Sequence, residues 1–374
     1  MNLLVIRSTK SLSGTETYNI NLLRELNKDS SIKIRILTNL DIFSKELRNS
    51  GVISEVAHWL PVEVGTKKQL LKIILYAPVF TLLYIIRITL MQSSRRFDLV
   101  CIQSRTEMIF LTPILKLLGY KVIWIQHGPF FNSQASSLIK YLYLVVSRLV
   151  NKIIVPSFDT KLDLKKGHVD SKKIRVIRIG LDTNVYYPAD IYKKAKMRKV
   201  FNLSNDSFVI GFLGTVTKEK GIDDFVNVGK LLGNVDYKYI VIGDGPEKQK
   251  MNKDISAIFT GFVLDVSRYL GMIDVFLFPT HHYEATSIAI LEAQAMGISV
   301  LATDIGGNRE IINHGYNGYL YKLGDVKSMA RDIRALSVDS AKLRLMGEHG
   351  VKVIHNKFNI EKQAKLFAIF FKSL

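Results

Sequence analysis

Val275–Ala302, VFLFPTHHYEATSIAILEAQAMGISVLA, decides the fold. Val275–Phe278 reads as a buried strand, and Pro279–Glu284 as a polar loop. Helical spacing begins near Thr286 or Ser287, either a suitable N-cap, and stops before Gly297. Val300–Ala302 is the next strand. Strand, loop, helix and strand make one βαβ unit, and such units build parallel sheets. Two glutamates, Glu284 and Glu292, flank the apolar run, where a carboxylate is rarely buried without a partner. Glu284 falls just outside the helix start and Glu292 inside it. On a regular helix about 12 Å and about 80° of azimuth separate them, so they do not form one carboxylate pair. They read as two contacts flanking a helix N-terminus, whose free N–H groups favour a diphosphate.

The same alternation extends through the chain. β-Branched runs recur at Leu3–Ile6, Ile32–Leu37, Leu99–Ile102, Val122–Ile125, Ile153–Val155 and Ile174–Ile177, with helical spacing between most of them, as in Thr17–Leu26 and Ser137–Leu149. The lysine-rich interval Asp182–Asp206 has little apolar periodicity at its start and reads as a linker. Strands then resume at Val209–Leu213 and Tyr239–Ile242. A chain of 374 residues exceeds what one core usually holds. Two α/β domains are expected, residues 1–185 and 186–356, with a C-terminal helix in 357–374 packing back on the first.

Composition narrows the classes. A hydrophobic fraction of 48% is ample for two cores and argues against disorder. Cys101 is the single cysteine, which excludes an intramolecular disulfide and suits a reducing compartment. The start, MNLLVIRSTK, lacks the pattern of a secretory leader, so a cytoplasmic location is expected. The net charge of +19 is uneven: residues 1–187 carry 27 Lys/Arg against 13 Asp/Glu, and residues 188–374 carry 25 against 20. A basic half suits an anionic membrane or phosphorylated ligands. Nucleic acid is disfavoured, because no basic stripe with interleaved aromatics is present. The segment Gln69–Met91 is uncharged from Ile73 to Ile86, too short to span a bilayer, and is flanked by Lys67, Lys68, Arg95 and Arg96. It reads as an element resting on an anionic membrane surface, or else as an apolar core helix.

In parallel sheets, ligands bind beyond the carboxyl ends of the strands. After the first strand, Ser13-Gly14-Thr15-Glu16 opens a helix with a small loop suited to phosphate, although it is not a dinucleotide fingerprint. His127 follows the strand Val122–Ile125 ahead of a Gly-Pro turn. In the second half, Gly214–Gly221 (GTVTKEKG) places Lys220 where an ammonium meets phosphate oxygens. Gly243 opens a tight turn, and Thr260–Val263, with Gly261 and Phe262, reads as a loop for a flat base. No two aspartates stand two apart and no His/Cys cluster has zinc spacing, so no metal site is expected.

Together these elements resemble glycosyltransferase family 4, which has the GT-B fold of two Rossmann-like domains facing a central cleft. GTVTKEKG, IVIGDGPEK, FTGF, EATSIAILEAQAMG and TDIGGNREIINHGYNGYL occur in the family's order, and the glutamates match its E-x7-E element. SGTE, His127 and GLDTNVYYP at Gly180–Pro188 extend the likeness over most of the chain. The resemblance implies retaining, metal-independent transfer of a sugar from a nucleotide donor bound by residues 186–356 to an acceptor bound by residues 1–185, with uridine diphosphate the expected carrier and no cofactor. It implies that Glu292 holds the ribose hydroxyls and Glu284 the sugar hydroxyls. Lys220 and the amides of Thr286, Ser287 and Ile288 would neutralise the diphosphate. His127 would contact the donor sugar near the reacting carbon, and Gly14 would approach the phosphates; Gly214, Thr215, Gly243, Gly261 and Phe262 complete the donor set.

The departures are specific. Thr215 stands where the family places a phosphate-binding arginine, with Lys218 or Arg309 as substitutes. Ala285 and Ser287 replace a glycine and a proline, and the N-terminal double glycine is reduced to Ser13-Gly14. The expected protein is a transferase at the inner face of the membrane that extends a lipid-linked glycan in capsule, O-antigen or exopolysaccharide assembly. A non-catalytic nucleotide-sugar-binding or scaffolding relative, and an epimerase or phosphorylase of the same fold, are the alternatives.

Overall fold

The computed structural model describes residues 1–59, 67–92, 96–133, 135–233 and 237–374, the side chains of residues 67–74 and 252 excepted. The chain forms two compact units, Met1–Gly180 with Ile360–Leu374, and Leu181–Asn359.

Unit 1 is built on strands β1 (Asn2–Arg7), β2 (Lys33–Thr38), β3 (Ile53–Val56), β4 (Leu99–Ile102), β5 (Lys121–Ile125), β6 (Lys152–Val155) and β7 (Ile174–Val176). They pair in parallel in the order β3-β2-β1-β4-β5-β6-β7. Unit 2 repeats the plan with β8 (Phe208–Leu213), β9 (Tyr237–Ile242), β10 (Ala257–Gly261), β11 (Val275–Phe278), β12 (Ser299–Thr303) and β13 (Gly318–Tyr321), ordered β10-β9-β8-β11-β12-β13. In both sheets the strand order reverses beside the first strand, the Rossmann arrangement. Central strands such as β4 and β11 are buried along their whole length, as expected of parallel strands covered on both faces.

The sequence reading misses three strands, β3, β10 and β13, all at or next to a sheet edge and only partly buried. Thr260 and Gly261, expected in a loop, end β10, and only Phe262 and Val263 lie beyond it.

The presumed linker is also different. Within Asp182–Asp206 lies a helix, Ile191–Val200, capped by the Asp190 side chain on the Lys193 amide (2.8 Å). An arginine holds it, not an apolar stripe. Arg198 is 3% exposed; its guanidinium donates to Asp274 Oδ2 (2.6 Å) and to the carbonyls of Met272, Asn205 and Ser207. The unit boundary falls at Gly180/Leu181, ahead of the expected 185/186, because the Leu181 amide bonds the Phe358 carbonyl and Thr183 bonds Asn359.

The segment Gln69–Met91 lies in one helix, Lys67–Met91, that contains Pro78. Tyr84, Ile88 and Met91 are buried, whereas Leu75, Val79, Leu82, Ile86 and Leu90 form an exposed stripe at helical spacing. Arg96 is already engaged, bonded to the Leu118 carbonyl and stacked over Tyr120; Arg95 and the side chains of Lys67 and Lys68 lie outside the described residues. No helix among the described residues is long and apolar enough to cross a membrane. The helix Ile360–Lys372 returns to unit 1, burying Phe367 and Phe371 and packing on the helix Gly14–Asn27.

Arg198→Ala strands Asp274 and several buried carbonyls, although Lys194 stays bonded to Asp274 (2.7 Å). Unit 2 should lose about 3 kcal/mol, the usual cost of breaking a buried ion pair. In urea unfolding of the whole chain, the transition of unit 2 should move to lower denaturant; an unchanged midpoint refutes the anchoring role.

Candidate active site

In unit 2 the candidate residues gather at the carboxyl ends of β8, β9 and β11. The loop after β8 enters a short 3-10 turn, Lys218–Lys220, and Gly221 follows at φ +78°. A Cβ there would overlap the Pro279 carbonyl, so only glycine permits this approach. The Glu219 carbonyl accepts from the amides of His281 (2.9 Å) and His282 (2.8 Å), and Thr280 Oγ1 also points to it. These bonds carry Lys220 onto the loop after β11, where its ammonium pairs with Glu284 Oε1. Gly306 and Gly307 pack against the backbone of Glu284 and Ala285, and the Gly307 amide donates to the Glu284 carbonyl (2.7 Å).

Ser287 is the N-cap of the helix Ile288–Ala295, and its side chain makes no cap hydrogen bond. The first amides of the helix therefore have no side-chain cap and are oriented as anion donors. Thr286 and Ser287 are buried beside them. One helix thus has an ammonium and a carboxylate at its start and a second carboxylate inside it.

That second carboxylate, Glu292, is 8% exposed, and burial pushes it up to about 7, against the opposing effect of a hydrogen bond from Tyr186. Tyr186 belongs to GLDTNVYYP, but its contact with Glu292 is tertiary and leaves no local sequence signal. Gly243 lies against the Gly214 carbonyl and bridges to Gly261, so three of the expected glycines form one backbone surface. Phe262 (74% exposed) offers its ring to solvent beside them. Thr215 is exposed and supplies no charge. Of its two expected substitutes, Arg309 is bound to Asp304 (3.1 Å), whereas Lys218 lies exposed in the 3-10 turn. Among the described residues, no group of three or more His, Cys, Asp or Glu side chains is placed to hold a metal.

Unit 1 places His127 on a cavity of its own, together with Ser13 and Thr15, the neighbours of Gly14, while Gly14 itself is not part of the lining. SGTE is a capping box: Ser13 Oγ accepts from the Thr15 amide and Glu16 reaches back to the Ser13 amide. The box occupies part of the helix start that the sequence reading reserves for phosphate. Arg7, at the end of β1, pairs with Glu16 (2.6 Å) and donates to the Gln103 carbonyl (2.9 Å). His127 Nε2 donates to Gln103 Oε1 (3.0 Å). Burial, then the charges of Arg7 and Arg105, hold its imidazole well below the usual range, so the ring is neutral. These residues, with Ser8, Lys10 and Gln126, line about 240 Å³ of space. The sequence reading misses Arg7, Gln103, Arg105 and Gln126, because only the sheet order brings the ends of β1, β4 and β5 together.

Residues 12–185 match the family described as Glycosyltransferase Family 4, and residues 207–339 the family described as Glycosyl transferases group 1. The chain is 27% identical over 286 residues to the UDP-Gal:alpha-D-GlcNAc-diphosphoundecaprenol alpha-1,3-galactosyltransferase of Escherichia coli, covering 72% of this chain and 73% of that one. It is 28% identical over 198 residues to the capsular polysaccharide biosynthesis glycosyltransferase CapM of Staphylococcus aureus, where it covers 50% of this chain and 52% of that one. Among solved structures, Anabaena HepE in complex with UDP-glucose superposes with a TM-score of 0.81 at 17% identity, over the full length of both chains. The fold is GT-B, and the chain belongs to the family-4, group 1 glycosyltransferases.

Proposed function

We propose that the protein is a retaining, metal-independent glycosyltransferase that moves a sugar from a uridine diphosphate donor to a lipid-linked glycan in the assembly of a cell-surface polysaccharide. The observation that carries this reading is the helix Ile288–Ala295, with the Lys220–Glu284 pair at its start and the buried carboxyl of Glu292 inside it. A donor diphosphate at that N-terminus meets amides and an ammonium that are already oriented. As the anomeric C–O bond breaks, the leaving diphosphate gains charge, and oriented donors stabilise it without reorganising. Glu284 then accepts from sugar hydroxyls and Glu292 from ribose hydroxyls, while Phe262 stacks on the base. Lys218 takes the place of the missing arginine at Thr215. Neutral His127 suits contact with a sugar rather than with a phosphate.

The lipid-linked acceptor is supported by the exposed stripe Leu75, Val79, Leu82, Ile86 and Leu90 and by the name of the Escherichia coli relative, and the cell-surface polysaccharide by the name of the Staphylococcus aureus relative. The location that goes with this reading is peripheral, on the inner face of the cell membrane. Thr215 alone favours a non-catalytic relative, and slow hydrolysis of donor without acceptor separates the two readings.

Glu292→Gln keeps the side-chain volume but removes the charge. Against a panel of nucleotide sugars it should lower turnover about 10- to 100-fold, the cost of losing charged hydrogen bonds to hydroxyls. An unchanged rate removes Glu292 from the site.

Hydroxyl donors favour the ionised form of Glu292, so UDP binding near pH 6 should release a proton and tighten as pH rises through about 7. Titration calorimetry in buffers of different ionisation enthalpy reads that proton directly, and its absence contradicts the ribose assignment.

Sedimentation with anionic liposomes should show binding that weakens at high salt. A protein that stays in the supernatant at both salt concentrations has no membrane-resting helix.

A further inference from the structure

The lysine-rich helix Ile191–Val200 does more than donor binding asks of it. It carries Lys193, Lys194, Lys196, Arg198 and Lys199 and no acid. Lys193 and Lys194 stand near its start, where the helix dipole is positive and a cation costs stability. Lys194 and Arg198 are engaged with Asp274. Lys193 and Lys196 instead line a cavity of about 340 Å³ together with Arg268, and no lining residue is acidic. Asp190 and Asp265, the nearest carboxylates along the chain, turn to the amides of Lys193 (2.8 Å) and Arg268 (3.4 Å) as helix caps.

The walls of this cavity are apolar, formed by Val185, Met197, Met296 and the Tyr187 ring. Two of the cations are steered by these walls. Lys193 lies over the Tyr187 ring (5.5 Å), and Arg268 Nε meets the Met197 sulfur (3.2 Å). The Lys196 ammonium has no carboxylate partner among the described residues. Cations gathered on one cavity repel each other until an anion binds. An inorganic anion meets that need but leaves the apolar wall wet, and a neutral hydrocarbon leaves the charges unpaired. A phosphate ester with an apolar body meets both, its oxygens on lysine and arginine and its body on the methionines.

The cavity is remote from the donor residues. Gly271 and Met296, on its lining, precede β11 and β12, so it lies at the amino edge of the sheet. One residue still joins the two places. Val185 and Tyr187 line the cavity, and the hydroxyl of Tyr186, between them, donates to Glu292. The Asp182 carbonyl accepts from the amides of Val185 (3.2 Å) and Tyr186 (3.1 Å), which ties the segment into one turn.

We propose that this cavity is a second ligand site, for a phosphate ester with an apolar body, whose occupant tightens donor binding by holding Tyr186 on Glu292. Lys196 and Arg268 take the phosphoryl oxygens, and Met197, Met296 and Tyr187 take the body. The coupling rests on the ribose role of Glu292 proposed above; the site does not.

The test uses the full chain with 1-naphthyl phosphate, inorganic phosphate, 1-naphthol and UDP. Wild type should bind naphthyl phosphate at least about tenfold more tightly than either fragment. Lys196→Gln and Arg268→Gln, both at exposed positions, should each weaken it several-fold, and Lys220→Gln at the donor site should leave it within about twofold. Saturating naphthyl phosphate should tighten UDP about fivefold or more, the lower end of ordinary coupling, and Tyr186→Phe should abolish that gain. Naphthyl phosphate that binds no better than inorganic phosphate overturns the site. So does an unchanged affinity in both Lys196→Gln and Arg268→Gln, or a loss confined to Lys220→Gln. A UDP affinity indifferent to the probe overturns the coupling. Displacement of the probe by vesicles of phosphatidic acid in phosphatidylcholine makes the occupant a lipid phosphate, and no displacement makes it a free ester. Wild type that binds naphthyl phosphate but not UDP refutes the donor reading and leaves the site standing.

Discussion

Gly221 against the Pro279 carbonyl is the contact on which the donor half depends. In a doubly wound sheet the loops after β8 and β11 leave the same edge at the point where strand order reverses, and nothing in the topology forces them to touch. The absence of a side chain at Gly221 lets them close, and the Glu219 carbonyl then ties down His281 and His282. Lys220 has one direction left, toward Glu284. The ammonium and the carboxylate are therefore set before any ligand arrives, and the free amides of the next helix lie beside them. A preset site spends none of its binding energy on assembling itself.

The two carboxylates of the site are unlike in a way their spacing does not reveal. Glu284 is paired with a neighbouring cation, Lys220. Among the described residues Glu292 has no cation beside it, only burial and the Tyr186 hydroxyl, so its charge is conditional on what binds. One end of the helix is thus electrostatically fixed and the other responsive.

Much of this was legible in the sequence because it is local. The βαβ unit around Glu284 and Glu292 shows its strand, its N-cap at Ser287 and its terminating Gly297 within a single window, and all of these are in the structure. The central strands were readable as continuous apolar runs. What was not readable is what the fold assembles. The edge strands β3, β10 and β13 are short and half-buried, so their pattern falls below that of a strand. The helix Ile191–Val200 has no apolar face to show, since one arginine holds it through carbonyls and Asp274. The cavity of Arg7, Arg105 and Gln126 draws on three strands that are neighbours in the sheet but far apart along the chain. SGTE was legible as a helix start, yet its glutamate is spent on a cap and on Arg7.

The return of Ile360–Lys372 to unit 1 orders the birth of the protein. Unit 2 is one unbroken stretch, Leu181–Asn359, and every strand of its sheet is available once that stretch has emerged from the ribosome. Unit 1 is translated ahead of unit 2, but it lacks the helix that packs on Gly14–Asn27 until Ile360–Lys372 has emerged. Through most of synthesis the helix Gly14–Asn27 has a missing neighbour. The half made first is the half completed last, and a nascent chain must keep that helix from other partners while the second half folds behind it.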